Sequence, residues 1–404
     1  MKENSLKYIL SLALPIALQQ LLTASLHLVD TAMVVKLGDV ATSAIGVCGR
    51  WFFLANITLF GFASGMSVFA SQYWGANDRA NIHKAYGMGL ISSLAAGFLF
   101  CAIAVLFPKA MIRVFTPDPA IIEAGAGYLR IAAFAYLALG FNSIAGYLLR
   151  STENVKLPLI ASFASVVVNT VLNYILINGK LGFPVLGLRG AAIATAISSF
   201  VYTVILMAVS YRKKNIAAVR LIDIKPESWE YAKRFYKISL PVLLNEAFWA
   251  LGTNIYSMVL ARQGESQYSA FTIFSSIEQL SFTFFIGLIS SCAVIVGKQV
   301  GRGDLAEGYG TAKKFMLYTP LSAMVVSVLL ILFRNPLLGF LNIPNTATME
   351  LASKLLLAYS FILPFRMVSY VAVVGIFRAG GDTRAGLFLD MFNVYLMGVP
   401  AVII

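Results

Sequence analysis

Apolar runs of about 20 residues recur from one end of the chain to the other, separated by short polar connections. A helix rises about 1.5 Å per residue, so about 20 apolar residues cross a bilayer core. The pattern predicts eleven helices, over 8–35, 44–73, 85–107, 124–150, 156–178, 187–211, 234–261, 268–297, 312–334, 348–378 and 384–404. Several exceed the minimum, which implies tilt or ends outside the lipid. Pro158 suits a first-turn position. Pro15, Pro241, Pro320, Pro364 and Pro400 lie inside spans and should kink them. The first run is too long for a signal-peptide core and no small-residue cleavage site follows it, so it reads as a retained helix.

The spans follow one plan twice, at an offset of about 226 residues. Leu14-Pro15 matches Leu240-Pro241, Lys36-Leu37-Gly38 matches Arg262-Gln263-Gly264, and Gly75 and Asp78 match Gly301 and Asp304. Leu106-Phe107 matches Leu332-Phe333; at an offset of about 228, Arg150 matches Arg378. Six spans per copy is an even number, so both copies enter from the same side. The expected architecture is an all-α polytopic membrane protein of two pseudo-symmetric six-helix bundles, a plan of secondary transporters that open to each side in turn. The halves are an N-terminal lobe over 1–211, a basic linker over 212–233, and a C-terminal lobe over 234–404. The partner of the 187–211 span would fall near 415–439; eleven helices are present where twelve are expected, which reads as a truncated chain.

Composition narrows the class. The 404 residues are 59% hydrophobic and 12% charged, with a net charge of +13. The basic residues sit in short connections and not on a continuous face, which argues against nucleic acid. Most of the Lys and Arg fall in the N-terminus and the even-numbered loops, so the positive-inside rule places the N-terminus and the 212–233 loop in the cytoplasm. That loop carries Arg212, Lys213, Lys214, Arg220 and Lys225. Cys48, Cys101 and Cys292 are scattered, and His27 and His83 are far apart, so no metal cluster or disulfide framework is indicated. No HExxH, GxSxG or paired-Asp motif points to an enzyme. No cofactor is expected.

Four carboxylates lie inside spans: Asp30, Glu246, Glu278 and Asp390. An ion at the bilayer centre costs roughly 2.5–3.5 kcal/mol on insertion scales, so each should be paired, protonated or functional. Asp30 lies toward the outer end of the first helix. Asn169 and Asn173 lie at a matching depth in the fifth, four residues apart and so on one face. One carboxylate with two amides is an oxygen-rich nest able to take Na⁺ or to carry a proton. Glu246, Glu278 and Asp390 form the second candidate group, for substrate or a second cation, together with Arg366, whose partner is any of these three. The repeat sharpens this. Glu246 corresponds to Gln20, Glu278 to Phe52, Asp30 to Tyr256 and Asp390 to Ser162. The Pro and Gly skeleton is duplicated while the acids are not, which assigns the acids to ion or substrate handling.

Several segments resemble one known family. Ala13-Leu14-Pro15 through Leu28-Val29-Asp30-Thr31, Lys36-Leu37-Gly38-Asp39, Ser71 through Ala76, Leu149-Arg150, and Arg378-Ala-Gly-Gly-Asp382-Thr383-Arg384 are similar to multidrug and toxic compound extrusion (MATE) transporters. The resemblance covers essentially the whole chain. It implies twelve spans in two lobes and export of small organic, often cationic, compounds by Na⁺ or H⁺ antiport from a bacterial plasma membrane. A monomer is expected. Asp30 matches the family's first-helix cation-site acid and Asn169 the fifth-helix Asn beside it. Asn173 falls where members carry Asp or Asn, and Glu246 matches a seventh-helix Glu of some members. Met367 stands where the tenth-helix Asp of those members is expected. The alternative is a lipid-linked oligosaccharide flippase of the same superfamily, which should carry a cationic cavity for a pyrophosphate. Arg366 is the single basic residue placed near mid-depth.

Overall fold

The computed structural model describes residues 5–219, 228–340 and 346–403, all helix and short connections. The N-terminal half holds α1 (Leu6–Val35), α2 (Asp39–Gly75), α3 (Arg79–Leu106), the short α4 (Pro108–Arg113), α5 (Pro119–Ala132), α6 (Phe134–Ser151), α7 (Lys156–Asn178) and α8 (Leu188–Lys213). The C-terminal half holds α9 (Trp229–Gln263), α10 (Glu265–Gly301), α11 (Leu305–Phe340) and α12 (Thr346–Tyr370). It continues through a π-helical stretch Val371–Phe377, α13 (Arg378–Gly380), α14 (Thr383–Met391), a second π stretch Phe392–Gly398 and α15 (Val399–Ile403).

Eight described helices are long and apolar enough to cross a membrane, or nine if the bent pair α5 and α6 is one span. Helices also form over the two remaining expected spans. α9 begins with a charged turn and carries Glu246 inside, and 383–403 is divided by its π stretch. The predicted 124–150 span is broken at Ala133 by 48°. No proline marks the break. It coincides with very close packing on α3: a Cβ on Gly97 would meet the Tyr136 carbonyl at 2.6 Å, and Ser93 Oγ donates to the Gly140 carbonyl at 2.9 Å.

The repeat is written into the turns. Asp78 caps α3 by accepting from Asn81 N at 3.1 Å, and Asp304 accepts from Glu307 N at 3.0 Å. Before each cap stands a left-handed residue, Asn77 (φ 57°) and Gly303 (φ 82°). The backbone hydrogen bond from Asp78 N to Tyr73 O is reproduced from Asp304 N to Gln299 O. Glu153 and Gly381 are likewise both left-handed, with Asn154 N bonded to Leu149 O and Asp382 N to Phe377 O. The Asp78 carboxyl is held below its usual range, chiefly by the Asn81 backbone N–H.

The compact units do not coincide with a simple cut in the middle of the chain. One comprises Leu18–Leu243; the other comprises Met1–Ala17 with Leu244–Ile404. Each therefore includes the opening half of a helix whose remainder lies in the other, and Pro15 and Pro241 stand just before the two crossings. Inside the first unit, a Cβ on Gly61 would meet Leu243 Cα at 2.7 Å and one on Gly65 would meet Ser239 Cα at 2.7 Å. Inside the second, a Cβ on Gly287 would run into the Ala13 carbonyl and meet Ala17 Cβ at 2.8 Å. Gly61 and Gly287, Leu243 and Ala17, and Ser239 and Ala13 are repeat mates. Lipid removes the hydrophobic drive for helix association, so small residues that let backbones approach carry these crossings.

The expected linker is partly folded. The Val219 side chain is buried, and its carbonyl accepts from Tyr211 Oη at 2.7 Å. Arg220 and Lys225 lie outside the described residues. Large apolar side chains such as Phe98, Val204 and Phe365 are exposed, 66%, 61% and 75% respectively, as suits a lipid-facing surface.

Candidate functional site

In the Leu18–Leu243 unit, α1 and α7 bring Asp30, Asn169 and Asn173 together. Asn173 Nδ2 donates to Asp30 Oδ1 at 2.5 Å and to Asn169 Oδ1 at 2.9 Å. Both asparagines are fully buried. α8 holds them in place: Asn169 Nδ2 lies 3.4 Å from Ser198 Oγ, and Ser165 Oγ donates to the Ser198 carbonyl at 2.8 Å. The close approach of α7 and α8 rests on Gly190, where a Cβ would meet the Leu176 carbonyl at 2.7 Å. Tyr128, hydrogen-bonded to Thr195, lies within the electrostatic reach of Asp30. Neither residue stands out in the sequence, because an interior Tyr or Thr is common in apolar helices.

Two features define what this nest can do. Asp30 has no cationic partner among the described residues. Asn173 Oδ1 is buried with no hydrogen-bond partner. The amide now spends its two N–H donors on the carboxylate and on Asn169. Turned over, it would aim its oxygen into the nest, next to two other oxygens, an arrangement that only a cation or a proton between them makes favourable. The donor set of one carboxylate and neutral oxygens suits a hard monovalent cation. Among the described residues no group of three His, Cys, Asp or Glu side chains could hold a metal ion.

In the other unit the acids are placed differently. Glu278 forms a salt bridge with Arg366, which also lies over the Phe282 ring at 5.2 Å. This supplies the partner of Arg366. Glu246 Oε1 accepts from Arg378 Nη2 at 2.7 Å. Asp390 accepts from Asn245 Nδ2 at 2.9 Å and lies in the field of Arg378. Arg378 is only 4% exposed. Glu246, Asp390 and Arg378 thus form one cluster, with two carboxylates around one guanidinium. Arg378 is a landmark of the repeat and of the family resemblance in the sequence; its burial beside an intramembrane acid is seen only in the structure. The structure does not bring Glu278 and Arg366 into that cluster. Met367 is fully buried.

Two related sets of apolar helices with ionisable groups inside them define a multi-pass membrane transporter. The chain belongs to the MatE family, whose model matches residues 15–175 and 241–404. It is 23% identical over 395 residues to a probable multidrug resistance protein NorM of Thermotoga maritima, covering 98% of this chain and 84% of that protein. It is 24% identical to the corresponding protein of Xanthomonas campestris, covering 96% and 84%. A crystal structure of MATE in the straight conformation has the same fold, with a TM-score of 0.85 at 21% identity, over 97% of this chain and 86% of that one.

Proposed function

We propose that this protein exports small organic, mainly cationic, compounds across a bacterial plasma membrane in exchange for Na⁺ or H⁺, with its N-terminus in the cytoplasm. Its relatives' designation as multidrug resistance proteins supports the substrate class. The observation that carries the coupling is the Asp30–Asn173–Asn169 nest: a carboxylate without a cationic side chain, beside a buried and unpartnered amide oxygen. A Na⁺ ion or a proton entering there would supply the missing counter-charge. The coupling cation is substrate, bound and released in each cycle.

Exchange follows if bound cation favours one conformation and bound organic substrate the other, because each then weakens the other's binding by the same factor. In the second unit, the excess negative charge of Glu246 and Asp390 around Arg378 is available to a cationic substrate or a second proton. Glu278 is neutralised by Arg366 and serves structure first. Within this unit the flippase alternative is disfavoured, since Arg366 and Arg378 are both engaged by carboxylates.

The test is efflux of a fluorescent organic cation from proteoliposomes under an imposed Na⁺ or H⁺ gradient. Wild type should follow one gradient, which names the ion, and Asp30→Asn should not respond to it. Gradient-driven efflux at the wild-type rate by Asp30→Asn would remove Asp30 from the coupling site.

A further inference from the structure

The repeat places a second buried guanidinium in the Leu18–Leu243 unit. Arg150, at the end of α6, is the mate of Arg378 and is 8% exposed. Arg378 has Glu246 against it and Asp390 nearby. The repeat mates of these two acids are Gln20 and Ser162, which are neutral. Among the described residues Arg150 forms no ion pair. Its guanidinium lies over the Tyr147 ring at 4.8 Å, and its Nε has no hydrogen-bond partner. The duplicated position therefore carries excess negative charge in one unit and an uncompensated positive charge in the other.

A buried charge without a partner is expensive, whereas a guanidinium with an oxyanion makes short, charge-assisted hydrogen bonds. Tyr202 lies against the same helix one turn earlier, where a Cβ on Gly146 would meet its Oη at 3.4 Å. Tyr202 lies in the field of Arg150, and its Oη accepts from Gln19 Nε2 at 3.2 Å. Gln19 is 5% exposed and its Oε1 is unbonded. If the Gln19 amide turns over, Tyr202 donates to Oε1 and Nε2 becomes a free donor next to Tyr202, the residue in the field of Arg150. Arg150 Nε and Gln19 Nε2 then present N–H groups with no other use.

We propose that Arg150, with Gln19 held by Tyr202, forms a binding site for an oxyanion, a phosphate group carried either free in solution or on a lipid headgroup, which replaces the carboxylate that Glu246 supplies to Arg378. A guanidinium binds such a group through paired N–H donors, and the neighbouring amide adds a third.

The experiment is thermal unfolding of the full chain purified in dodecyl maltoside. Inorganic phosphate is titrated at constant ionic strength against chloride, and dioleoylphosphatidylglycerol is added in a parallel series. Wild type should show a saturable rise of about 2–4 °C with one of them. A rise with phosphate identifies a free anion; a rise with the lipid alone identifies the headgroup. Arg150→Gln should abolish it. Should Arg150→Gln fail to fold, Gln20→Glu decides: the introduced carboxylate should raise the unfolding temperature without anion and remove the response. No anion-dependent rise in wild type, or an undiminished rise in Gln20→Glu, would overturn the site.

Discussion

The Arg378 cluster makes an asymmetric prediction. Arg378 Nη2 and Glu246 Oε1 are 2.7 Å apart, and their side chains are 5% and 19% exposed. With charge centres about 4 Å apart and an effective dielectric near 20, the attraction is roughly 4 kcal/mol before desolvation. Removing one partner of a buried pair costs about 3–5 kcal/mol when the other is left uncompensated. Arg378→Gln leaves two carboxylates, Glu246 and Asp390, with no cation beside them and should incur that full cost. Glu246→Gln leaves Arg378 still facing Asp390, so its cost should be about 1–2 kcal/mol. The free thiols Cys48, Cys101 and Cys292 are all buried, and Cys292 lies in the same unit. A thiol-reactive fluorophore therefore reports unfolding directly. The unfolding temperature should fall much further for Arg378→Gln than for Glu246→Gln. Equal losses, or the reverse order, would refute the shared cluster.

Two further substitutions probe the duplicated crossings and turns. Gly287→Val puts a branched side chain into the Ala13 carbonyl and should destabilise by about 1–3 kcal/mol in the thiol assay, as should Gly65→Val against Ser239. Gly310→Ala meets nothing within 4 Å and should be neutral or slightly stabilising. Asp78→Ala removes a helix cap and should cost about 1 kcal/mol at neutral pH. Because the folded state holds the Asp78 carboxyl below its ordinary value, this contribution is present above the unfolded-state value of about 4 and is lost as pH falls through the lower folded value. The gap between wild type and Asp78→Ala should thus close on acidification, measured by melting at pH 6 and pH 3.

The fold was legible where one-dimensional signals are strong. Uninterrupted apolar length marked the span at 156–178, which the structure reproduces as Lys156–Asn178. Asp78 and Asp304 marked the turns, because a capping carboxylate is a local requirement, while the left-handed residues beside them are Asn77 and Gly303. The break at Ala133 was invisible: it contains neither Pro nor Gly at the bend, and its cause is packing against Gly97 and Ser93 of another helix. Asn169 and Asn173 could be paired from their spacing of one turn, and Asp30 joined to them by depth. The partners of Glu246, Glu278 and Arg366 could not, since each pair is about 90–130 residues apart in sequence and depth alone leaves several choices. The exchange of helix halves between the units rests on contacts of Gly61, Gly65 and Gly287 that only the tertiary structure reveals.

The most direct measurement of exchange is substrate-driven cation movement. Proteoliposomes bearing wild-type protein are given a gradient of the fluorescent organic cation alone, and internal Na⁺ and pH are followed. Export of the organic cation should draw Na⁺ or H⁺ the opposite way, and Asp30→Asn should abolish that flux while remaining folded. Organic-cation movement with no opposing flux of either ion in wild type would contradict antiport, and an undiminished flux in Asp30→Asn would contradict the nest as its seat.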